Sequence, residues 1–199
     1  MKVLLDNGHG ENTPGKRSPD GLFREYIYAR FLTREIAKRL KICGIDAECI
    51  VPESEDIPLR ERVSRVNKIC KEKGANNVIL VSVHCNASKN GEWGTARGWS
   101  AYTSKGETKS DKLATMLYVE AGRNFSGQTI RRDFSDKDPD WEEDFTILSQ
   151  TACAAVLTEN FFMDNEQDLA YLVSEEGREA ILNVHVNGIV EYVKANGKH

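Results

Sequence analysis

The sequence predicts an α/β domain: one central, mostly parallel sheet in a single three-layer unit, with helices on both faces. Three observations carry that expectation. Apolar, β-branched runs alternate with segments of helical period along almost the whole chain. The run at 77–83, Asn-Val-Ile-Leu-Val-Ser-Val, is nearly unbroken in its hydrophobicity, as a strand covered on both faces should be. The length of 199 residues suits one hydrophobic core, since single cores serve chains of up to ~250 residues.

Composition narrows the class further. Hydrophobic residues are 40% and charged residues 29% of the sequence, which excludes a disordered or fibrous chain. No apolar run approaches the ~20 residues that cross a bilayer, so membrane insertion is not expected. Lys+Arg 27 against Asp+Glu 31 gives a net charge of -4, so a nucleic-acid partner has no general electrostatic support. A chain this long folds without disulfides or a structural metal, so any metal would serve chemistry. The five cysteines are odd in number and lack a C-x-x-C pair; most sit in apolar runs, as free thiols in a reducing compartment. The apolar stretch after Lys2 is too short for a signal peptide.

In chain order, residues 2–5 read as a short buried strand stopping at Asp6-Asn7-Gly8-His9-Gly10, and a polar loop runs to Gly21. A helix follows over 22–40, with Ala29, Leu32, Ile36 and Leu40 on one face and Arg30, Arg34, Lys38 and Lys41 on the other; Ile27 and Phe31 do not fit that scheme. A second strand is expected at 45–51. A helix then opens at Asp56-Ile57-Pro58 and buries Leu59, Val63, Val66 and Cys70. The central strand at 77–83, a strand at 98–103 and a helix at 110–121 come next. Residues 122–145 are irregular and charged, a loop length that is often functional, and are placed near the substrate groove. A last strand at 151–158 ends at Glu159-Asn160, and helices near 166–172 and 175–193 close the chain, the latter capped by Ser174. No repeat or linker divides residues 1–199.

The polar residues of interest lie at the carboxyl ends of these strands, where α/β proteins place their sites. His9 follows the first strand, His84 the central one and Glu159 the last. Glu25 falls on the apolar face of the first helix, where a carboxylate must be paired, protonated or bound to a metal. Singly, each has an ordinary reading: a turn histidine, a satisfied core histidine, a helix N-terminal carboxylate, a capping glutamate. Together they are harder to dismiss, because a parallel sheet brings the two histidines side by side, and two imidazoles with one carboxylate are a common catalytic zinc set.

Four segments then carry a resemblance. Leu4-Leu5-Asp6-Asn7-Gly8-His9-Gly10, Gly21-Leu22-Phe23-Arg24-Glu25, Val81-Ser82-Val83-His84-Cys85-Asn86-Ala87 and Val156-Leu157-Thr158-Glu159-Asn160-Phe161-Phe162 resemble, in order and spacing, the zinc-dependent N-acetylmuramoyl-L-alanine amidases of the amidase-3 type. Phe161-Phe162-Met163-Asp164-Asn165 resembles the stretch that follows the catalytic glutamate there. The resemblance implies zinc ligands at His9, Glu25 and His84, a catalytic carboxylate at Glu159, and a peptidoglycan substrate cleaved between N-acetylmuramic acid and L-alanine. Two places depart from the pattern. A Thr-Arg pair common after the second strand is Val51-Pro52 here, and an arginine common before the last strand is replaced within Leu148-Ser149-Gln150.

A zinc peptidase or deacetylase acting on a related wall bond is the alternative, because metal chemistry alone does not define the substrate. A binding module without catalysis would lack one of the four residues. A nucleotide site would need a glycine-rich phosphate loop that is absent. A monomer is expected, acting on the cell wall after release by lysis or after loss of a signal preceding residue 1. His185 reads as a packing residue and His199 as part of a disordered end. Cys85 is expected to point away from His84 into packing. Trp93, Trp99 and Trp141 are candidates for stacking on sugar rings, Trp99 equally for the core.

Overall fold

The computed structural model describes residues 1–89 and 91–197, so His199 lies outside the described residues. Six strands form one sheet: β1 (Lys2–Asn7), β2 (Asp46–Cys49), β3 (Val78–Asn86), β4 (Ser100–Thr103), β5 (Trp141–Glu142) and β6 (Ala154–Phe162), in the order β2-β1-β3-β6-β4-β5. The pairs β1–β2, β1–β3 and β3–β6 are parallel, as expected. The β4–β6 pair is antiparallel and makes the sheet mixed at one edge.

Alternation along the strands explains the three layers. Val3 and Leu5 of β1 and Ile79, Val81 and Val83 of β3 face one side. There α1 (Glu25–Ile42), α3 (Lys109–Asn124), α5 (Glu166–Val173) and α6 (Glu175–Asn196) bury Leu32, Leu117, Leu172 and Ile181 against them. Leu4, Val78 and Leu80 face the other side, covered by Val63, Val66 and Cys70 of α2 (Leu59–Lys73) and by Ile147 and Leu148 of α4 (Thr146–Ser149). The α3–α6 contact is close enough that a side chain at Gly188 would press on the backbone of Leu117.

Several boundaries differ from the expected ones for local reasons. The helix expected from 22 starts at Glu25, because the chain before it folds back through an isolated bridge between Arg17 and Arg24. Pro58 caps α2 from outside. The strand expected at 45–51 is confined to Asp46–Cys49, and the one at 98–103 to Ser100–Thr103. β3 and β6 each run past their expected ends, so His84 and Glu159 lie inside strands rather than after them. The irregular stretch is shorter than 122–145, since α3 continues to Asn124 and β5 interrupts it. Ser174 caps α6, accepting from the Gly177 N–H at 2.9 Å. Ile27 and Phe31 are exposed, as their misfit on α1 implied. Cys43, by contrast, is exposed, so it does not act as a core hydrophobe. Among the described residues, no helix is long and apolar enough to cross a membrane.

Candidate active site

The carboxyl ends of β1, β3 and β6 converge on one cleft of about 740 Å³, lined by His9, His84 and Glu159 with Arg62, Phe145 and Leu157 among others. Beyond β1, the Gly8 N–H donates to the Val83 carbonyl at 3.0 Å and clips the turn to β3. A Cβ on Gly8 would collide with the His84 imidazole, so only glycine lets the two histidines approach. His9 itself has φ 60, an uncommon conformation for a residue with a side chain. Its carbonyl accepts from Arg30 Nη1 at 3.0 Å and Arg62 Nη2 at 3.3 Å, which holds the turn in place.

Arg30 corrects the reading of the first helix. It lies with the buried residues, and its guanidinium also donates to the Glu53 carbonyl at 2.9 and 2.7 Å. Arg62 is buried as well, bonded to Asp6 Oδ1 at 2.7 Å, to the Asn7 carbonyl at 2.6 Å and to Asp56 Oδ1 at 2.9 Å. Both arginines support the turn that presents His9, and neither was singled out as a site residue. Their signal in the sequence is only a charge on a helix; the carbonyls they meet are brought by the fold.

Glu25 enters from the first turn of α1 and is buried to 1% exposure. Its Oε1 lies 3.1 Å from His84 Nδ1 and accepts from the Cys85 N–H at 3.1 Å. Its Oε2 stands 3.5 Å from His9 Nε2 and has no hydrogen-bond partner among the described residues. The two imidazoles meet edge to face, with centroids 5.0 Å apart. One ligand atom from each of His9, Glu25 and His84 lies within 4.8 Å of the others. Ligands ~2.1 Å from a tetrahedral zinc would stand about 3.4 Å apart; the 3.1 and 3.5 Å separations bracket that value. The donor set and the unpartnered oxygen therefore fit zinc.

Burial opposes charge on all three groups, and their mutual contacts decide the outcome. His9 is pushed down to about 4, chiefly by burial, against the pull of Glu25. For Glu25 burial is outweighed by the hydrogen bond and charge of His84, the charge of His9 and the Cys85 N–H, so its carboxyl stays below the usual range. His84 is raised despite burial, because Glu25 faces it directly. An anionic carboxylate between two imidazoles is a cation-binding arrangement.

Glu159 is the register partner of His84 on the neighbouring strand. Just beyond this pair β6 carries one extra residue, and Phe161 adopts φ 62 there. The bulge sends Asn160 back toward β3, where its Nδ2 donates to the His84 carbonyl at 2.9 Å. Trp99 Nε1 in turn donates to Asn160 Oδ1 at 3.1 Å. Asn160 and Trp99 thus orient the ligand strand. Trp99 is fully buried and belongs to the core, whereas Trp141 lies under the Arg131 guanidinium and Trp93 is exposed. Glu159 Oε2 is buried without a partner. Burial raises the Glu159 carboxyl to about 7, moderated by His84, with Glu25 raising it further and Lys16 and Arg131 lowering it. Those two cations act on Glu159, whereas Leu148, Ser149 and Gln150, which depart from the resembled pattern's arginine, supply none.

Cys85 points into the core, as expected of the residue alternating with His84. His185 is wholly buried, with Nδ1 donating to the Ile181 carbonyl at 2.8 Å. Three of the four residues singled out in the sequence, His9, His84 and Glu159, thus line one cleft, and the fourth, Glu25, lies buried against both histidines.

Comparison with known proteins bears on family and fold. A family model described as N-acetylmuramoyl-L-alanine amidase matches residues 3–191. An endolysin of Bacillus phage SPP1 is 26% identical over 200 residues, covering 98% of this chain and 67% of the phage protein. In fold, the chain is similar to an N-acetylmuramoyl-L-alanine amidase from Clostridium difficile 630, with a TM-score of 0.81 at 24% identity, covering 99% of this chain and 98% of the other. It is also similar to the catalytic domain of CwlV from Bacillus (Paenibacillus) polymyxa var. colistinus, with a TM-score of 0.79 at 21% identity and 98% coverage of both chains.

Proposed function

Because the chain belongs to the N-acetylmuramoyl-L-alanine amidase family and acts as a peptidoglycan amidase, we propose that His9, Glu25 and His84 hold a zinc ion and that Glu159 is its catalytic carboxylate. The observation that carries this reading is the meeting of three ligand atoms within 4.8 Å of one another beside the strand partner of His84. Zinc in such a site acts as a Lewis acid and makes water a competent nucleophile near neutral pH.

The chain's own residues supply the rest. An amide resists hydrolysis because its carbonyl is a poor electrophile and its amine a poor leaving group. Glu159 takes a proton from the attacking water and delivers it to the L-alanine nitrogen as the C–N bond breaks. A carboxyl raised to about 7 exchanges protons readily in either direction at neutral pH. His84 and Glu159 are kept side by side by the β3–β6 ladder and by Asn160, so base and ligand move as one unit. Asp144, Phe145 and Thr146 line the same cleft, which supports a role for the end of the long segment in substrate binding. His9, Glu25, His84 and Glu159 all come from one chain, so the proposed chemistry needs no residue from a second copy.

The test separates base from ligand. In Glu159→Gln, muropeptide release should fall by ~10²–10⁴-fold while zinc content stays at one ion per chain. In His84→Ala, zinc itself should be lost by elemental analysis. Products from intact peptidoglycan should carry new alanine amino groups and no new reducing ends. Undiminished release by Glu159→Gln would remove the assigned role.

A further inference from the structure

A second group of carboxylates gathers just before β5. Asp140 directly precedes β5 and is 1% exposed. Its Oδ2 accepts from Thr103 Oγ1 at 2.7 Å, but its Oδ1 is buried with no donor. Asp138 Oδ1 is also buried without a donor, and the two carboxyls stand within hydrogen-bond reach of each other. Asp111 and Asp136 add negative charge from α3 and from the loop. Among the described residues, no lysine, arginine or histidine forms an ion pair with any of these four.

Two oxygen acceptors cannot face each other out of water unless something positive lies between them. A shared proton is one solution; a cation is the other. The surroundings favour the cation. Every side-chain donor atom in the group is oxygen, the preference of hard divalent ions. Asp136-Lys137-Asp138-Pro139-Asp140 spaces three carboxylates at alternate residues, as calcium loops do, although the glycine and terminal glutamate of an EF-hand are absent. The backbone already closes this loop, with the Asp133 N–H donating to the Pro139 carbonyl at 3.2 Å.

We propose that Asp138 and Asp140 form the core of a binding site for a hard divalent cation, calcium foremost, with Asp136 and Asp111 completing its negative field. The bound ion ties the end of the long segment to β4 through Thr103 and Asp140. Five residues beyond Asp140, Phe145 lines the catalytic cleft. The ion therefore braces a cleft wall without touching the reacting atoms.

Terbium reports such a site directly, because Trp141 is the residue after Asp140 and can sensitise its luminescence. Titrating the folded, full-length protein with Tb³⁺ should give a saturable signal that Ca²⁺ displaces, with calcium affinity of ~10⁻⁵–10⁻³ M. Asp140→Asn should abolish it, and Asp138→Asn should weaken it at least about tenfold, with near-ultraviolet circular dichroism confirming the fold. Should Asp140→Asn fail to fold, the Asp138→Asn result decides alone, since that residue is only half-buried. The signal should persist in His84→Ala. No saturable signal, unchanged affinity in Asp138→Asn, or loss of signal in His84→Ala would each overturn the proposal.

Discussion

An imidazole sealed from water tests the electrostatics of single residues away from the cleft. His185 Nδ1–H donates to Ile181, so Nε2 is the unprotonated nitrogen and accepts from Thr158 Oγ1 at 2.9 Å. Burial holds this histidine neutral, with a pKa lowered from 6.5 to about 4. Its unfolded form binds a proton at higher pH than its folded form does, so it favours unfolding as pH falls from 6.5 toward 4. Stability associated with His185 is fully present above 6.5, and about 3 kcal/mol is lost by pH 4. Urea unfolding of the protein and of His185→Gln at pH 7, 5 and 4 should show a shallower acid dependence in the variant. Equal slopes would show that His185 does not titrate across that window. The same physics makes Glu25 informative. Its position on an apolar helix face was legible, and so was the need for compensation, because a buried carboxylate always needs a partner. The partners of Arg30 were not legible: its charge put it on the solvent face, and only the fold brings the carbonyls of Glu53 and His9 to it.

At the scale of elements, α2 is locked to the sheet by one side chain. Arg62 and Asp6 are each 2% exposed and 2.7 Å apart, and the same guanidinium holds the Asn7 carbonyl and Asp56. Removing one member of such a pair leaves the other charged and buried, at a cost of about 3–5 kcal/mol. Arg62→Met should lower the urea midpoint accordingly with little change in slope. Arg62→Lys should rescue less than half of the loss, because a lysine cannot reproduce the planar fork that reaches Asp6, Asn7 and Asp56 together. A lysine variant as stable as the parent would show that charge alone suffices. Strands and helices were largely legible here because period and burial agree, as in the alternation of Val3, Leu4 and Leu5 between two cores. Their ends were less so. β3 and β6 continue through His84 and Glu159, where polar side chains face the cleft while the backbone still pairs, so a change of composition did not mark a change of structure. The antiparallel direction of β4 is set by its nonlocal partner and leaves no mark on four residues.

The molecule as a whole separates folding from metal binding. The three proposed ligands come from the end of β1, the start of α1 and the end of β3, and each of those elements is fixed by apolar packing rather than by its neighbours in the site. Both faces of the sheet carry their own core, so the six strands have no need of an ion to hold their order. A ligand that binds only the folded state still adds stability by mass action, ~2.7 kcal/mol at a hundredfold excess over its Kd. For a chain of this size that corresponds to a Tm shift of about 5–10 °C. Removing zinc with a zinc-selective chelator should therefore lower Tm by that amount while leaving far- and near-ultraviolet circular dichroism at 25 °C unchanged, and added zinc should restore both Tm and muropeptide release. In His84→Ala the Tm should no longer respond to zinc or to a zinc-selective chelator that leaves calcium in place. Were chelation instead to erase the near-ultraviolet signal, the metal would be holding the fold together, and two hydrophobic cores would not be enough to explain why this chain folds.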